Sequence, residues 1–249
     1  MIPSKCEQDL TLPCYFFDIR SRMRPAAFFD IAQNLAGDGA EMLGASDKDL
    51  LPRGLVWILA RMHVHYDRIP ERFESVRVQT WHSGVTGPLF TRDYMMLDAS
   101  GKAIVRSTSS WALMDITNRV LAKCDRIFDL LPAEPQCAER ALEANAAKII
   151  WPRELVPEIT ASHTVYYSDV DYNGHANNAR YPVWVYDALP KEFSEGRILT
   201  DFSINYNREL HPGETASIRL ARPNCDTWLA EGSHDGSQNF ICKLNFLQE

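Results

Sequence analysis

Residues 59–68 read LARMHVHYDR, and residues 199–208 read LTDFSINYNR. At an offset of 140 (199 − 59) the apolar positions coincide: Leu59 with Leu199, Met62 with Phe202, Val64 with Ile204 and Tyr66 with Tyr206. From Met62 and Phe202 onward both segments alternate apolar and polar residues, the pattern of a half-buried strand. In both, an Arg follows the Tyr by two positions. The match runs on, with FESVRV at 73–78 falling against GETASI at 213–218. One structural unit therefore occurs twice.

Each copy also predicts a helix ahead of its long strand. In the first, Phe28, Ile31, Ala32, Leu35 and Gly39 follow helical spacing; in the second, Tyr181, Trp184, Val185, Ala188 and Leu189 do so. Asn177 or Asn178 is placed to cap the second helix, Pro182 falls in its first turn, and Pro190 lies where it should stop. Strands are expected at 76–81, 89–97 and 103–114, and again at 215–222, 228–233 and 239–246, with hairpin turns at 98–101 and 235–237. Between the copies, residues 128–160 carry Pro132, Pro135, Pro152 and Pro157 and an Ala/Glu-rich piece with helical composition. The expectation is an α+β protein with a tandem (double) hotdog fold, each half a long helix wrapped by an antiparallel sheet. Its parts are residues 1–127, a linker at 128–160, and residues 161–249.

The second copy concentrates polar chemistry just before its helix. Residues 167–190 read YSDVDYNGHANNARYPVWVYDALP, with Asp169, Asp171, Asn173 and His175 on alternate positions. In an extended segment these would share one face. The run opens like a calcium loop of the D-x-D-x-N-G type, but its twelfth position, where a bidentate Glu is needed, is Arg180. His63 and His65 alternate on a strand, but no Cys or carboxylate near them completes a tetrahedral zinc set, so a polar strand face is the expectation there. No metal site is expected. At an offset of 151, Asp171, Asn173 and His175 fall against Arg20, Arg22 and Arg24. That implies one active site per chain, and a basic strip that either docks an acidic partner or forms ordinary surface ion pairs.

With 249 residues, 45% of them hydrophobic and 24% charged, the chain can bury a sizeable core. A net charge of −7 argues against general nucleic-acid binding. The apolar run at 55–60 is too short to span a bilayer, and the first ten residues lack a signal-peptide core. Six cysteines without a C-x-x-C pair suggest free thiols and a cytoplasmic setting.

The run DVDYNGHANNARYPVWVYDALP resembles the active-site segment of acyl-acyl-carrier-protein (acyl-ACP) thioesterases. INYNREL at 204–210 is similar to that family's second catalytic strand. RMRPAAFFDIAQNLAGDGAEMLG and GLVWILARMHVHYDRIP resemble its amino-terminal hotdog. The likeness covers about residues 15–246, and suggests a bacterial-type member. It implies catalytic roles for Asp171, Asn173, His175 and Glu209, and no cofactor. Plant members usually carry Cys after that Glu; here the position is Leu210, so no thiol nucleophile stands there.

A thioester needs an activated water and a stabilised oxyanion, since its thiol, with a pKa of about 8.5, leaves readily. Asp171 or Glu209 is the candidate base. Asn173 can hold the water, and His175 can donate to the thioester oxygen or relay a proton. The helix start at Asn177 and Asn178 offers N–H groups to the oxyanion. Trp57, Ile58 and Met62 could line an acyl tunnel, where each buried CH₂ contributes about 0.8 kcal/mol. The expected reaction is release of free fatty acid from acyl-ACP during fatty acid biosynthesis, with the acidic carrier docking on Arg20, Arg22 and Arg24. An acyl-CoA thioesterase of the same fold, a hotdog hydratase or dehydratase, and a non-catalytic acyl-thioester binding protein are the alternatives. Two units in one chain leave both a monomer and a homodimer open.

Overall fold

Each half runs short strand, helix, long strand, then an antiparallel meander. The first half comprises β1 (Cys6–Thr11), α1 (Pro25–Met42), α2 (Asp47–Leu50), β2 (Leu55–Tyr66), β3 (Ser75–Thr86), β4 (Leu89–Leu97), β5 (Ala103–Asp115) and β6 (Val120–Ala122). The second comprises β7 (Ile159–Thr164), α3 (Arg180–Ala188), α4 (Lys191–Ser194), β8 (Arg197–Tyr206), β9 (Thr215–Asn224), β10 (Thr227–His234) and β11 (Ser237–Gln248). This computed structural model describes residues 4–248; residues 1–3 and 249, the outer ends of the two expected domains, lie outside the described residues. No described helix is long and apolar enough to cross a membrane.

The strands form one continuous sheet in the order β1-β3-β4-β5-β2-β8-β11-β10-β9-β7, with β6 beside β5. The two repeated segments meet at its centre. Arg61 lies opposite Asn205, His63 opposite Ser203 and His65 opposite Asp201. His63 and Ser203 are equivalent at the offset of 140, so a pseudo-twofold axis passes between them. Met62, Val64, Phe202 and Ile204 are buried towards the helices in one shared core. On the other face His63 Nε2 and His65 Nδ1 sit 3.1 and 2.9 Å from Asp201 Oδ1, a polar face as expected.

The helices sit in the curl of the two half-sheets. α1 begins on Pro25, where a missing N–H costs nothing. It buries Phe28, Phe29, Ile31, Ala32, Leu35 and Gly39. α3 buries Tyr181, Trp184 and Val185 and stops two residues before Pro190. The N-cap position of α3 is Ala179, and Asn177 Oδ1 accepts that residue's N–H at 2.8 Å, so the asparagine braces the turn ahead of the helix. Beyond α3, Phe193 packs edge-on against Trp228 and Phe246, with ring centroids 5.3 and 5.5 Å away.

The linker contains no helix between residues 128 and 158, contrary to the expectation for its Ala/Glu-rich piece. It lies across the sheet, and sheet side chains capture its backbone. Ala141 N–H donates to the fully buried Asp93 at 3.0 Å, and Ile149 N–H donates to Asn205 at 2.7 Å. Asn205 in turn donates to Ala147 O, and Trp81 to Glu139 O. These bonds replace the internal bonds a helix would have made.

Candidate active site

The polar turn of the second copy is a tight hairpin rather than an extended strand. Val170 bridges to Ala176. Asp171 N–H donates to His175 O at 3.1 Å, and Gly174 N–H donates to Asp171 O at 3.0 Å. Gly174 adopts a φ of +83°, which a side chain there would oppose. Asp171 Oδ1 accepts Asn173 N–H at 2.9 Å. Asp171, Asn173 and His175 thus reach one cleft because the chain reverses, not because alternate residues share a strand face.

Asp169 is left out of this group. Its carboxylate accepts from the Tyr166 amide at 2.9 Å and from Trp184 Nε1 at 3.3 Å, and lies 2.9 Å from His163 Nε2. Burial works against the charge, but these three bonds together hold the carboxyl below its usual range. The depressed value means that its stabilising effect is fully present above the ordinary carboxylate range and is lost as pH falls through the lower folded value. Asp169→Asn is expected to cost about 1–3 kcal/mol at neutral pH. That difference should shrink once pH drops below about 4, a trend that urea melts of both proteins across pH would record.

A second segment closes the site. After Tyr206 the chain leaves the sheet, because Asn207 and Arg208 N–H both donate to Asn239 O, at 2.7 and 3.1 Å. Glu209 therefore sits past the strand that was expected to carry it, with its carbonyl held by Asn239 Nδ2 at 3.1 Å. Ala176 N–H donates to Leu210 O at 2.8 Å, tying the two segments together. Glu209 Oε1 lies 3.8 Å from His175 Nε2, beyond direct hydrogen bonding but within reach of a small rotation or a bridging water. Among the described residues the Asn178 N–H has no partner, whereas that of Asn177 is taken by Asp169 O at 2.8 Å.

Asp171, Asn173, His175, Asn178 and Glu209 line one cleft of about 1580 Å³, together with Trp57 and Ile58. The cleft opens where β2 loses its partner, since β8 pairs with β2 only over Arg61–His65. Successive residues of this free edge point to opposite faces. Trp57 belongs to an inner lobe with Phe90, 5.1 Å away edge-on, and Trp111. Val56 and Ile58 line an outer groove. Met62 does not line the cleft: it lies beyond the β2 bulge, opposite Ile204, where β8 covers the edge, and it is core.

The floor of the inner lobe holds two residues that the sequence reading missed, His82 and Arg92, both buried. Desolvation lowers the pKa of each. Among the described residues Arg92 Nη1 donates only to Thr80 Oγ1, at 3.4 Å. A Cβ on Gly39 would come within 2.5 Å of that nitrogen, so glycine lets α1 cross the guanidinium. The helix packed over Arg92 reveals its place.

Backbone bonds correct the alignment of the two copies. Phe17 bridges to Met23 as Val170 bridges to Ala176. Asp18 N–H donates to Arg22 O as Asp171 N–H does to His175 O, and Met23 N–H donates to Pro70 O as Ala176 N–H does to Leu210 O. The turn offset is therefore 153 (171 − 18), not 151. Asp18 stands for Asp171, Arg20 for Asn173, Arg22 for His175, and Pro25, which has no N–H, for Asn178. Ile69 stands for Glu209 at the offset of 140. The first copy thus keeps only the turn-forming aspartate.

All three arginines of the basic strip make bonds within the chain, while Arg20 and Arg24 stay exposed. Arg22 donates to the carbonyls of Ser194, Glu195 and Arg197 at 3.0 Å each and pairs with Asp18, plugging the symmetry-related position. Arg20 reaches Glu195 O, and Arg24 reaches Tyr15 O. Among the described residues no three His, Cys, Asp or Glu side chains gather as a metal site, and Arg180, the would-be closing ligand, pairs with Asp30 at 3.0 Å.

Comparison with known proteins identifies the family. The acyl-ACP thioesterase N-terminal domain model matches residues 3–129, and the C-terminal domain model matches residues 156–246. The crystal structure of an acyl-ACP thioesterase from Bacteroides thetaiotaomicron superposes with a TM-score of 0.84 at 25% identity, covering 98% of both chains. The 12:0-ACP thioesterase from Umbellularia californica superposes at 0.89 with 20% identity, over 100% of this chain and 99% of that one. A chloroplastic palmitoyl-acyl carrier protein thioesterase of Arabidopsis thaliana is 28% identical over 204 residues, 77% of this chain and 46% of its own length. The chain spans less than half the length of the first curated relatives it matches. Two domain models in tandem, over one hotdog unit in each half, make the chain a member of the acyl-ACP thioesterase family.

Proposed function

We propose that this protein hydrolyses acyl-ACP thioesters, releasing free fatty acid. The observation that carries the reading is the meeting of His175 and Glu209, 3.8 Å apart, at a cleft with an aromatic inner lobe. The acyl chain enters that lobe past Trp57 towards Phe90 and Trp111. Its thioester carbon then lies between the 171–175 turn and the Glu209 loop.

Glu209, with His175 beside it, takes a proton from water as the oxygen attacks the thioester carbon. The Asn178 N–H, one residue ahead of the α3 N-cap, donates to the developing oxyanion. Asp171 fixes the turn that aims His175, and Asn173, at the exposed rim, positions the water. The C–S bond breaks as the tetrahedral intermediate collapses, and the proton held by Glu209 and His175 passes to the leaving thiolate. None of the six cysteines lines the cleft, and Leu210 is buried away from it, which supports water over a thiol as the nucleophile.

A thiol-release assay over matched acyl-ACP and acyl-CoA substrates tests the reading. Release from acyl-ACP is expected, with kcat/KM at least about tenfold above the matched CoA ester. Tight acyl-ACP binding without thiol release would favour a non-catalytic binding protein.

A further inference from the structure

The cleft continues past the catalytic mouth as an outer groove that the hydrolytic step leaves unused. Val56 pairs with Met114, and Met114 pairs with Leu121. The three side chains form an apolar row across β2, β5 and β6 on the face opposite Trp57, and all three line the cleft. The row runs to Arg119, which lines it too.

Arg119 sits at the tip of the β5–β6 turn with a φ of +54°, a left-handed conformation that favours Gly or Asn. Asp115 builds the turn, accepting from the amides of Thr117 and Asn118 at 3.0 Å each, and its carbonyl accepts from Arg119 N–H at 2.8 Å. An arginine held in such a backbone conformation points to a use for its side chain. Among the described residues its guanidinium has no carboxylate partner, while nearby Arg53 and Arg126 pair with Asp129 and Asp115. Lys123, two positions beyond Leu121, is also exposed and unpaired among the described residues. Leu121 itself is 65% exposed. A chain of net charge −7 therefore carries an uncompensated cationic, apolar lip beside its own cleft.

The geometry points to this groove as the seat of the phosphopantetheine arm of an acidic acyl carrier protein, with Arg119 receiving the arm's phosphodiester. The inference rests on the hydrolase reading above. With the acyl chain in the inner lobe and the thioester at His175, the other side of the sulfur must leave along the remaining limb. The pantetheine arm is apolar towards its phosphate end, where it carries paired methyl groups, and then anionic. The groove offers the same order, Val56–Met114–Leu121 followed by Arg119. Lys123 and Leu121 face the carrier surface, where charge complementarity speeds encounter and sets register.

Arg119→Gly removes the cation and suits the left-handed backbone, so the fold should hold. In this variant the ratio of kcat/KM for acyl-ACP to that for the matched acyl-N-acetylcysteamine thioester, which lacks a phosphate, is expected to fall by about tenfold or more, mainly through KM. Arg119→Lys should recover much of the loss, and Lys123→Glu should weaken carrier binding further. An equal fall on both substrates would mean a structural role, and an unchanged ratio would empty the groove; either overturns the proposal. A loss on acyl-CoA alone would replace the carrier by free coenzyme A. Anisotropy of a fluorescently labelled holo-carrier is measured alongside. Absence of turnover in the wild type would sink the hydrolase reading, and the docking surface would then stand or fall on about a tenfold affinity loss in Arg119→Gly.

Discussion

Glu209→Gln is expected to lower kcat on acyl-ACP by about 10²–10⁴-fold, the usual share of a positioned general base. The amide keeps the shape and hydrogen-bonding reach of the carboxylate but cannot take a proton from water. Glu209 has 39% of its side chain exposed, and the segment is held by backbone bonds through Asn239 and Leu210. The change should therefore leave stability within about 0.5 kcal/mol. His175→Ala should lose activity on a similar scale, and the double variant should lose little more, because two groups that move one proton act as a unit. Single-turnover thiol release, paired with thermal melts, checks each point. Wild-type turnover in Glu209→Gln, with loss in Asp171→Asn, would transfer the role of base to Asp171.

The largest effect on stability is expected from Phe202→Ala. Phe202 is fully buried beside the pseudo-twofold axis, opposite Val64 across the seam, and its ring meets Phe29 of α1 edge-on at 5.4 Å. It joins the sheet of one half to the helix of the other. Truncation removes an aromatic ring from a packed interior and leaves a cavity, at a cost of about 3–5 kcal/mol. That corresponds to a drop in Tm on the order of 10 °C for a chain of this size. The two halves share one core across β2 and β8, so the variant should still unfold in a single transition. Urea melts followed by tryptophan fluorescence and by far-ultraviolet dichroism would show coincident midpoints. Separate transitions would mean that the seam is not shared. His63→Ala, one residue from Val64 on the other face of the sheet, should cost under about 1 kcal/mol.

Local patterns were legible because they record local physics. Period-two runs marked the strands, and Pro190 marked the end of α3. The offset of 140 in the long strand is visible in the register that places His63 opposite Ser203. Asp171, Asn173, His175 and Glu209 were all singled out, and all line the cleft. Two misreadings share a cause: the 151 offset and the extended 169–175 segment both assumed that a side chain's direction follows from its spacing. The linker helix was read from composition alone, and Met62 was read without the β8 pairing that covers it. A two-residue shift in the turn reassigns every partner, and only the bonds of Asp18 and Asp171 reveal it.

By itself the sequence determined that one unit occurs twice and that only the second copy carries acid, amide and imidazole together. Composition and periodicity are written residue by residue, so they survive without coordinates. Tertiary structure alone decided which backbone groups were still free once the chain had folded. Asn239 peels Glu209 off the sheet, the free edge of β2 opens the cleft, and Arg22 fills the matching position in the other half. Those outcomes depend on pairings between residues from 30 to more than 170 positions apart, and no local pattern encodes them.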